Sequence, residues 1–232
     1  MNSQETTSHR VRQDSGDAQR LHPHKQKHSW FTLVTLIWVA LVGIGMSSLW
    51  EYQTTPGQTT ESPKHWPADC LIKQNEIRPT LIMFAHPHCP CTRASIRELA
   101  LLMAHCSRQV DAQVLFFKSS TFAADWVKTD LWSSAAAIPG VTVACDENGS
   151  EAVRFRAATS GYTLLYSVDG QLQFQGGITK SRGHSGDNAG RSALEAILRN
   201  GTPGKKQTFA FGCPLQERNE ACSKENQSCL QQ

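Results

Sequence analysis

The chain has little net charge for its length. Its 232 residues include 23 Lys and Arg against 20 Asp and Glu, which gives a formal net charge of +3 at pH 7. Proteins that bind nucleic acid through the phosphate backbone carry a clear excess of basic residues on one face. This charge balance therefore gives no reason to expect a nucleic-acid partner. The sequence also contains no internal repeat, so nothing in it indicates a repeat architecture.

Charged residues are absent from one long apolar run. Residues 30–50 read WFTLVTLIWVALVGIGMSSLW, with Trp at both ends. A helix of this length spans about 30 Å, the thickness of the hydrocarbon core of a bilayer, and Trp is favoured at membrane interfaces. No cleavage site of the Ala-x-Ala kind follows the run, which is longer than the roughly 7–15 apolar residues of a signal peptide. The sequence therefore predicts an uncleaved transmembrane helix over residues 29–50.

Basic residues are missing immediately after this helix. No Lys or Arg occurs between Trp50 and Lys64, whereas five precede the helix: Arg10, Arg12, Arg20, Lys25 and Lys27. The positive-inside rule places the basic flank in the cytoplasm. We therefore expect a single-pass protein of the inner (cytoplasmic) membrane. Residues 1–28 would form a disordered cytoplasmic tail, and the region after the helix would lie in the periplasm.

No cysteine lies before or within the apolar run. All eight follow it and would face a compartment in which disulfides form: Cys70, Cys89, Cys91, Cys106, Cys145, Cys213, Cys222 and Cys229. Cys106 ends an apolar helix face and Cys145 ends an apolar strand, so both are expected to pack as small hydrophobic side chains. Cys222 and Cys229 lie in a polar tail and either form a structural disulfide or stay free.

Apolar patterns beyond the membrane segment predict alternating strands and helices. The run TLIMFA (Thr80–Ala85) is typical of a buried strand, and a helical period begins at Thr92 and ends near Cys106. Later patterns predict strands at 113–117 and 141–145, helical segments at 122–137 and 151–157, a hairpin at 163–175 and a last helix at 191–199. This order predicts an α/β mixed sheet with helices on both faces over residues 79–200. A linker at 51–78 would precede this domain, and a Cys-containing tail at 201–232 would follow it.

The cluster HPHCPCTRAS, residues 86–95, lies where the first predicted strand gives way to a helix. A buried strand, a short loop and a cysteine that opens a helix resemble the thioredoxin fold. The stretch at 141–179 is similar to the membrane-anchored thioredoxin-like and peroxiredoxin-like branch of that superfamily. Three stretches also resemble the bacterial membrane proteins called RedB: AHPHCPCTRAS, DLWSSAAAIPGVTV and TSGYTLLY…GGIT. The resemblance implies a thioredoxin-like fold and points to thiol–disulfide oxidoreductase activity.

Two features depart from the thioredoxin pattern. The thioredoxin motif separates its two cysteines by two residues, whereas one residue separates Cys89 from Cys91. Tyr162 occupies the position of the cis-proline that faces the catalytic cysteine in thioredoxins. Both departures affect how a mixed disulfide with a substrate would be guided and resolved.

Cys89 is the candidate nucleophile. Helix amides and the helix dipole stabilise a thiolate at a helix N-terminus, and protonated His86 and His88 would act in the same direction. Thiolates are the attacking species in disulfide exchange, so the expected substrates are exported proteins with thiols or disulfides, and no cofactor is required.

The sequence does not decide which cysteine supplies the second thiol of this reaction. Cys91 is the first candidate, with Cys213 and Cys70 as alternatives. If Cys91 is already helical, its side chain points about 200° away from that of Cys89, and a bond between them needs a loosened first turn.

The same cluster allows a metal-binding interpretation. It offers two imidazoles and two thiolates, a donor set that suits copper(I) or zinc: His86, His88, Cys89 and Cys91. Against this interpretation, all four donors lie in one stretch, and two prolines restrict how that stretch can surround an ion. A copper-binding or copper-delivery protein and a non-catalytic thioredoxin-fold binding module are therefore the competing hypotheses.

A Gly-rich loop at 176–188 contains further polar candidates. The thioredoxin resemblance implies that this loop lies beside the active-site helix, which would bring His184 and Asp187 near Cys89. The simpler interpretation is that Asp187 or Asn188 caps the last helix and that His184 is a solvated loop residue.

Overall fold

The computed structural model describes residues 24–123, 125–201 and 204–215. The chain divides into two compact units, residues 1–47 and 48–232. Helix α1, His24–Thr54, begins inside the segment predicted as a disordered tail and extends past the predicted end of the membrane segment. Its part from Ser29 to Thr54 has a mean hydropathy of 2.0 and is long and apolar enough to cross a membrane. The chain thus has an N-terminal apolar helix of the kind found in membrane anchors and signal sequences.

Five strands and four helices follow in the described residues. The strands are β1 (Thr80–Ala85), β2 (Asp111–Lys118), β3 (Val141–Glu147), β4 (Tyr162–Tyr166) and β5 (Leu172–Gly177). The helices are α2 (Thr92–Cys106), α3 (Asp130–Ala136), α4 (Ser150–Arg154) and α5 (Ala189–Asn200). The strands form one sheet in the order β3-β2-β1-β4-β5, with β1, β2 and β3 parallel and β4 antiparallel to both β1 and β5. This mixed sheet confirms the predicted thioredoxin-like α/β fold.

Strand β1 is the centre of the sheet, and all six of its residues are buried. Because successive side chains of a strand point to opposite faces, β1 contributes to two hydrophobic cores. Leu81 and Met83 belong to the core that packs under α2, α3 and α5. Ile82 and Phe84 belong to the core on the other face, together with Phe155 after α4. The sheet is therefore covered on both sides, and the C-terminal end of β1 is held rigidly.

Part of the predicted linker covers the second face of the sheet. The Trp66 ring lies 5.3 Å, centroid to centroid, from the rings of both Phe155 and Tyr166. Ser62 is buried, and the N–H of Gly57 donates to the carbonyl of Ala210 at 2.8 Å. Helix α4 has only five residues and cannot cover this aromatic face by itself. Irregular segments before and after the sheet cover the rest of this face. The predicted linker is polar and has no regular apolar period, so its sequence did not indicate this packing.

The start of the predicted C-terminal tail also packs on the domain. Gln207 pairs with Gln175 of β5, and Pro214 pairs with Thr159 just before β4. These two bridges hold residues 204–215 along the sheet, and this segment includes Cys213. The remaining predicted tail, with Cys222 and Cys229, lies outside the described residues, as do residues 1–23.

Two local predictions need correction. The helical segment expected at 122–137 is shorter, because residues 119–123 and 125–129 are turns and irregular backbone and α3 begins only at Asp130. Cys145 is exposed rather than packed, since β3 is an edge strand of the sheet. Cys106 is fully buried in the first core, as predicted.

Candidate active site

The junction between β1 and α2 places Cys89 directly ahead of a helix. The N–H of Cys89 donates to the carbonyl of His86 at 3.2 Å, and the N–H of Thr92 donates to the carbonyl of Cys89 at 3.1 Å. Cys91 already has helical backbone angles, φ −68° and ψ −28°. The peptide amides of the first turn of α2 therefore face the region of Cys89, where they favour negative charge.

Cys213 is the sulfur beside Cys89. The two Sγ atoms are 3.0 Å apart, and the backbone N–H of Cys213 donates to the Cys89 Sγ at 3.4 Å. Cys89 is 1% exposed, whereas Cys213 is partly exposed. Two cysteines separated by 124 residues in sequence thus form one thiol pair.

The pKa values of the two thiols in this pair are shifted in opposite directions. Burial alone would raise the pKa of Cys89, but hydrogen bonds from the Cys213 thiol, the Thr92 hydroxyl and the N–H groups of both residues lower it overall. Burial and the adjacent Cys89 sulfur raise the pKa of Cys213 to about 12. When one proton is lost from the pair, Cys89 therefore becomes the thiolate and Cys213 keeps its proton.

Cys91 is a third thiol in the same site. It is 7% exposed, and burial followed by the negative charge on Cys89 raises its pKa, while Arg182 partly offsets this effect. Because Cys91 is already in the helical conformation, it belongs to the base of α2, and Cys89 belongs to the loop before it.

Arg182 is the group that the Gly-rich loop brings to the site. Its guanidinium donates to the carbonyl of Gly212 at 2.7 Å, next to Cys213, and its positive charge favours the thiolates of Cys91 and Cys213. The guanidinium also lies 5.0 Å from the centre of the Tyr52 ring. The loop therefore contributes a cation rather than the two residues considered from the sequence.

Those two loop residues lie at the surface. His184 is exposed, with its Nδ1 3.2 Å from the carbonyl oxygen of Arg182, and the Asp187 side chain is fully exposed. Asn188 is the N-cap of α5, since its side chain accepts a hydrogen bond from the N–H of Arg191 at 2.8 Å. The capping interpretation of this loop is confirmed for Asn188.

Glu98 of α2 anchors the same loop from below. This carboxylate is fully buried and accepts hydrogen bonds from the N–H of Gly186 at 2.7 Å and from the side chain of Asn188 at 2.9 Å. The Nε of Arg191 lies 3.2 Å from Oε2, the oxygen that also accepts from Asn188, and this pairs the buried charge. The loop that carries Arg182 is therefore tied to the helix that follows the cysteines.

Ser160 connects the three segments of the site. Its hydroxyl accepts from the N–H of His86 at 2.8 Å and lies 2.6 Å from the Thr92 hydroxyl, while its own N–H donates to the carbonyl of Cys213 at 2.8 Å. Sequence reasoning missed Ser160, Thr92 and Arg182. Only Thr92 has a local signal, because Ser and Thr are common residues at helix starts.

Tyr162, which the thioredoxin resemblance places at the cis-proline position, points into the second hydrophobic core. It is buried at the start of β4, opposite Phe84 of β1, and its hydroxyl donates to the carbonyl of Thr60 at 3.0 Å. The residue of this turn that contacts the cysteine loop is therefore Ser160.

The two histidines of the cluster pack against aromatic rings. His86 stacks on Phe117 with ring centroids 5.9 Å apart, and His88 lies 4.6 Å from Trp126. The Nε2 of His88 is 3.1 Å from the carbonyl oxygen of Trp126. Within residues 24–123, 125–201 and 204–215, no group of three or more His, Cys, Asp or Glu side chains is arranged to hold a metal ion. The four donors of the copper hypothesis do not form such a group in this part of the chain.

Cys70, another candidate second thiol, lies toward the other end of β1. Its Sγ is 3.3 Å from the carbonyl oxygen of Ile72, and it interacts electrostatically with Tyr166. Tyr166 pairs with Thr80, the first residue of β1, whereas Cys89 follows the last. The length of this strand separates Cys70 from the cysteine cluster.

Comparison with known proteins adds to the evidence for the fold. No protein-family model matches the chain, and no curated protein matches it significantly. Two of the matching solved structures have TM-scores above 0.5. An uncharacterized conserved protein from Geobacillus kaustophilus is 18% identical, with a TM-score of 0.51, over 72% of this chain and 94% of that chain. A hypothetical protein from Sinorhizobium meliloti 1021 is 17% identical, with a TM-score of 0.55, over 72% of this chain and 100% of that chain.

A third matching structure is that of a secreted Mycobacterium tuberculosis disulfide oxidoreductase homologous to E. coli DsbE, 19% identical with a TM-score of 0.34 over 41% of this chain and 66% of that chain. At identities this low, the two structures with TM-scores above 0.5 show a shared fold and nothing about the chemistry. The described domain, with its cysteine loop between β1 and α2, has a thioredoxin-like fold.

Proposed function

We propose that this chain is a membrane-anchored, extracytoplasmic thiol–disulfide oxidoreductase whose redox pair is Cys89 and Cys213. The observation that carries this proposal is the 3.0 Å separation of the two sulfur atoms at the N-terminal end of α2. Two thiols at this distance need only a small movement to form a disulfide. Cys91 was the first candidate for the second thiol. Its side chain also hydrogen-bonds to Cys89, but its backbone already lies in the helix, whereas the Cys213 sulfur lies 3.0 Å from that of Cys89.

The acidities of the pair support exchange chemistry. Disulfide exchange requires a thiolate, and the lowered pKa of Cys89 supplies one. In the reaction, two thiols of a partner lose two electrons and two protons as the Cys89–Cys213 disulfide is reduced to two thiols, or the reverse. The protein needs no cofactor for this step.

The cellular location and orientation that we propose are inferred from the N-terminal helix. Residues 29–50 anchor the chain in the inner membrane, residues 1–28 lie in the cytoplasm, and the thioredoxin-like domain faces the periplasm. The partners are then exported proteins with thiols or disulfides. The resemblance of the cysteine cluster to RedB proteins supports the same arrangement.

Single substitutions identify the redox pair. We expect the full chain, purified in detergent and equilibrated in glutathione buffers, to form a Cys89–Cys213 disulfide that mass spectrometry detects. Cys89→Ser and Cys213→Ser should abolish this disulfide and the oxidation of a reduced model dithiol peptide, whereas Cys91→Ser should keep both. Loss of exchange in Cys91→Ser alone would instead make Cys91 the second thiol. If neither the native chain nor any variant forms a disulfide or oxidises the peptide, the result would favour a non-catalytic binding module.

A further inference from the structure

We propose that Cys213 is the sulfur that bonds to the partner protein, and that Cys89 is the buried thiolate released when this bond forms. This inference rests on the proposed function and assigns roles within its thiol pair. It reverses the order expected from the sequence, in which the cysteine at the helix start meets the substrate first.

Access to the two sulfur atoms differs. Cys89 is 1% exposed, beneath the segment that carries Cys213, whereas Cys213 is partly exposed. An incoming thiolate must reach the sulfur that it attacks, along the line of the disulfide bond and on the side away from the leaving sulfur. A large partner can meet this requirement at Cys213. At Cys89 the attack would have to come through the packed turn between β1 and α2.

The leaving group points to the same assignment. Once expelled, the Cys89 sulfur lies among donors that are already in place. These are the N–H of Cys213, at 3.4 Å, and the hydroxyl and N–H of Thr92. Disulfide exchange is faster when the departing thiol has the lower pKa, and these donors, which remain when Cys213 is bonded to the partner, each lower the pKa of Cys89. Attack on Cys213 therefore expels the better leaving group into a prepared site.

The exchange balances without another reagent. A partner thiolate bonds to the Cys213 Sγ, the Cys89–Cys213 bond breaks, and its electron pair stays on Cys89 as a thiolate. A second thiol of the partner, after losing its proton, attacks the partner sulfur in the mixed disulfide and releases Cys213, which takes up that proton. The partner dithiol is oxidised by two electrons, and the protein disulfide is reduced by two. In the reverse direction, Cys89 resolves the mixed disulfide carried by Cys213.

A trapping experiment distinguishes the two sulfurs. The full chain, with Cys145, Cys222 and Cys229 replaced by Ser to remove other reactive thiols, is oxidised and mixed with one equivalent of a synthetic peptide containing a single cysteine. Samples are quenched in acid at short times, free thiols are blocked with N-ethylmaleimide in denaturant, and disulfide-linked fragments are identified by mass spectrometry. We expect roughly tenfold more peptide on Cys213 than on Cys89, because access and leaving-group acidity favour the same attack.

The alternative outcomes are separable. Peptide found mainly on Cys89 or on Cys91 overturns this assignment but leaves the proposed oxidoreductase function standing. A Cys89–Cys213 disulfide that never forms, or never reacts with the peptide, overturns both. The chain that retains Cys145 serves as the matched control, and its distribution of peptide between Cys89 and Cys213 should be the same.

Discussion

Three thiols lie in one site, and their surroundings make them chemically different. Burial raises the pKa of Cys91 and of Cys213, whereas hydrogen bonds to Cys89 overcome the same effect and lower its pKa. The donors to Cys89 come from Thr92 and from Cys213 itself. Reactivity at this site therefore depends on which sulfur is surrounded by donors, more than on the spacing of cysteines in the sequence.

Thr92→Val should weaken the Cys89 thiolate. The substitution removes the hydroxyl that hydrogen-bonds to Cys89 and to Ser160 but keeps the side-chain volume. A hydrogen bond to a charged group contributes roughly 1.5 kcal/mol or more, so the pKa of Cys89 should rise by about one unit. Ultraviolet thiolate absorbance against pH measures this change, with the corresponding Cys89→Ser protein subtracted. Thr92→Ser keeps the hydroxyl and should titrate like the native chain. An unchanged pKa in Thr92→Val would mean that the Thr92 hydroxyl does not stabilise the thiolate.

The segment at 204–215 brings Cys213 to the site through backbone contacts. The N–H of Leu215 donates to the carbonyl of Ala158 at 3.0 Å, and the carbonyl of Cys213 accepts from the N–H of Ser160 at 2.8 Å. The approach is so close that a Cβ on Gly212 would lie 2.0 Å from the carbonyl oxygen of Ser160. Glycine at this position is what lets the segment reach the start of β4.

Gly212→Ala should therefore separate the thiol pair. The added methyl group meets backbone rather than a flexible side chain, so the segment must move away and carry Cys213 with it. We expect the equilibrium constant for forming the Cys89–Cys213 disulfide in glutathione buffers to fall by about tenfold or more, which corresponds to about 1.4 kcal/mol. Gly204→Ala in the same segment is the matched control, since its Cβ would come no closer than 3.4 Å to any atom. Equal equilibrium constants for disulfide formation in the two variants would show that the close packing of Gly212 against Ser160 does not position Cys213.

The elements with strong local patterns could be predicted from the sequence. The run of apolar residues gave β1 its bounds, and the helical period beginning at Thr92 gave α2 both of its ends. The segment at 204–215 could not be predicted in this way, because it forms no long strand or helix and is held by backbone bonds. The pairing of Cys89 with Cys213 depends on that segment and on a contact across 124 residues, for which the sequence has no local signal.

The N-terminal helix presents a large apolar surface. Trp30 is 66% exposed and Trp50 is 70% exposed, and none of the most apolar part of α1 is buried in the described structure. A helix of this length with apolar side chains all round is stable in a bilayer, where its backbone hydrogen bonds are satisfied internally. An anchor keeps this surface in the membrane, whereas cleavage of a signal sequence would remove it from the mature chain.

Membrane-impermeant maleimide labelling of intact bacterial cells that produce the chain distinguishes these arrangements and tests the orientation. Cys145 is exposed on edge strand β3, so it should be labelled from outside the inner membrane once the outer membrane is permeabilised. With Cys222 and Cys229 replaced by Ser, the Cys145→Ser variant is the control and should lose most of the label. A cysteine introduced by Ser3→Cys into that control should react only after cell lysis, because the proposed orientation places the basic flank in the cytoplasm. The labelled chain should stay with the membrane fraction after alkaline extraction at its full length. A shortened, soluble chain would identify α1 as a cleaved signal sequence, and labelling of Ser3→Cys in unlysed cells would reverse the proposed orientation.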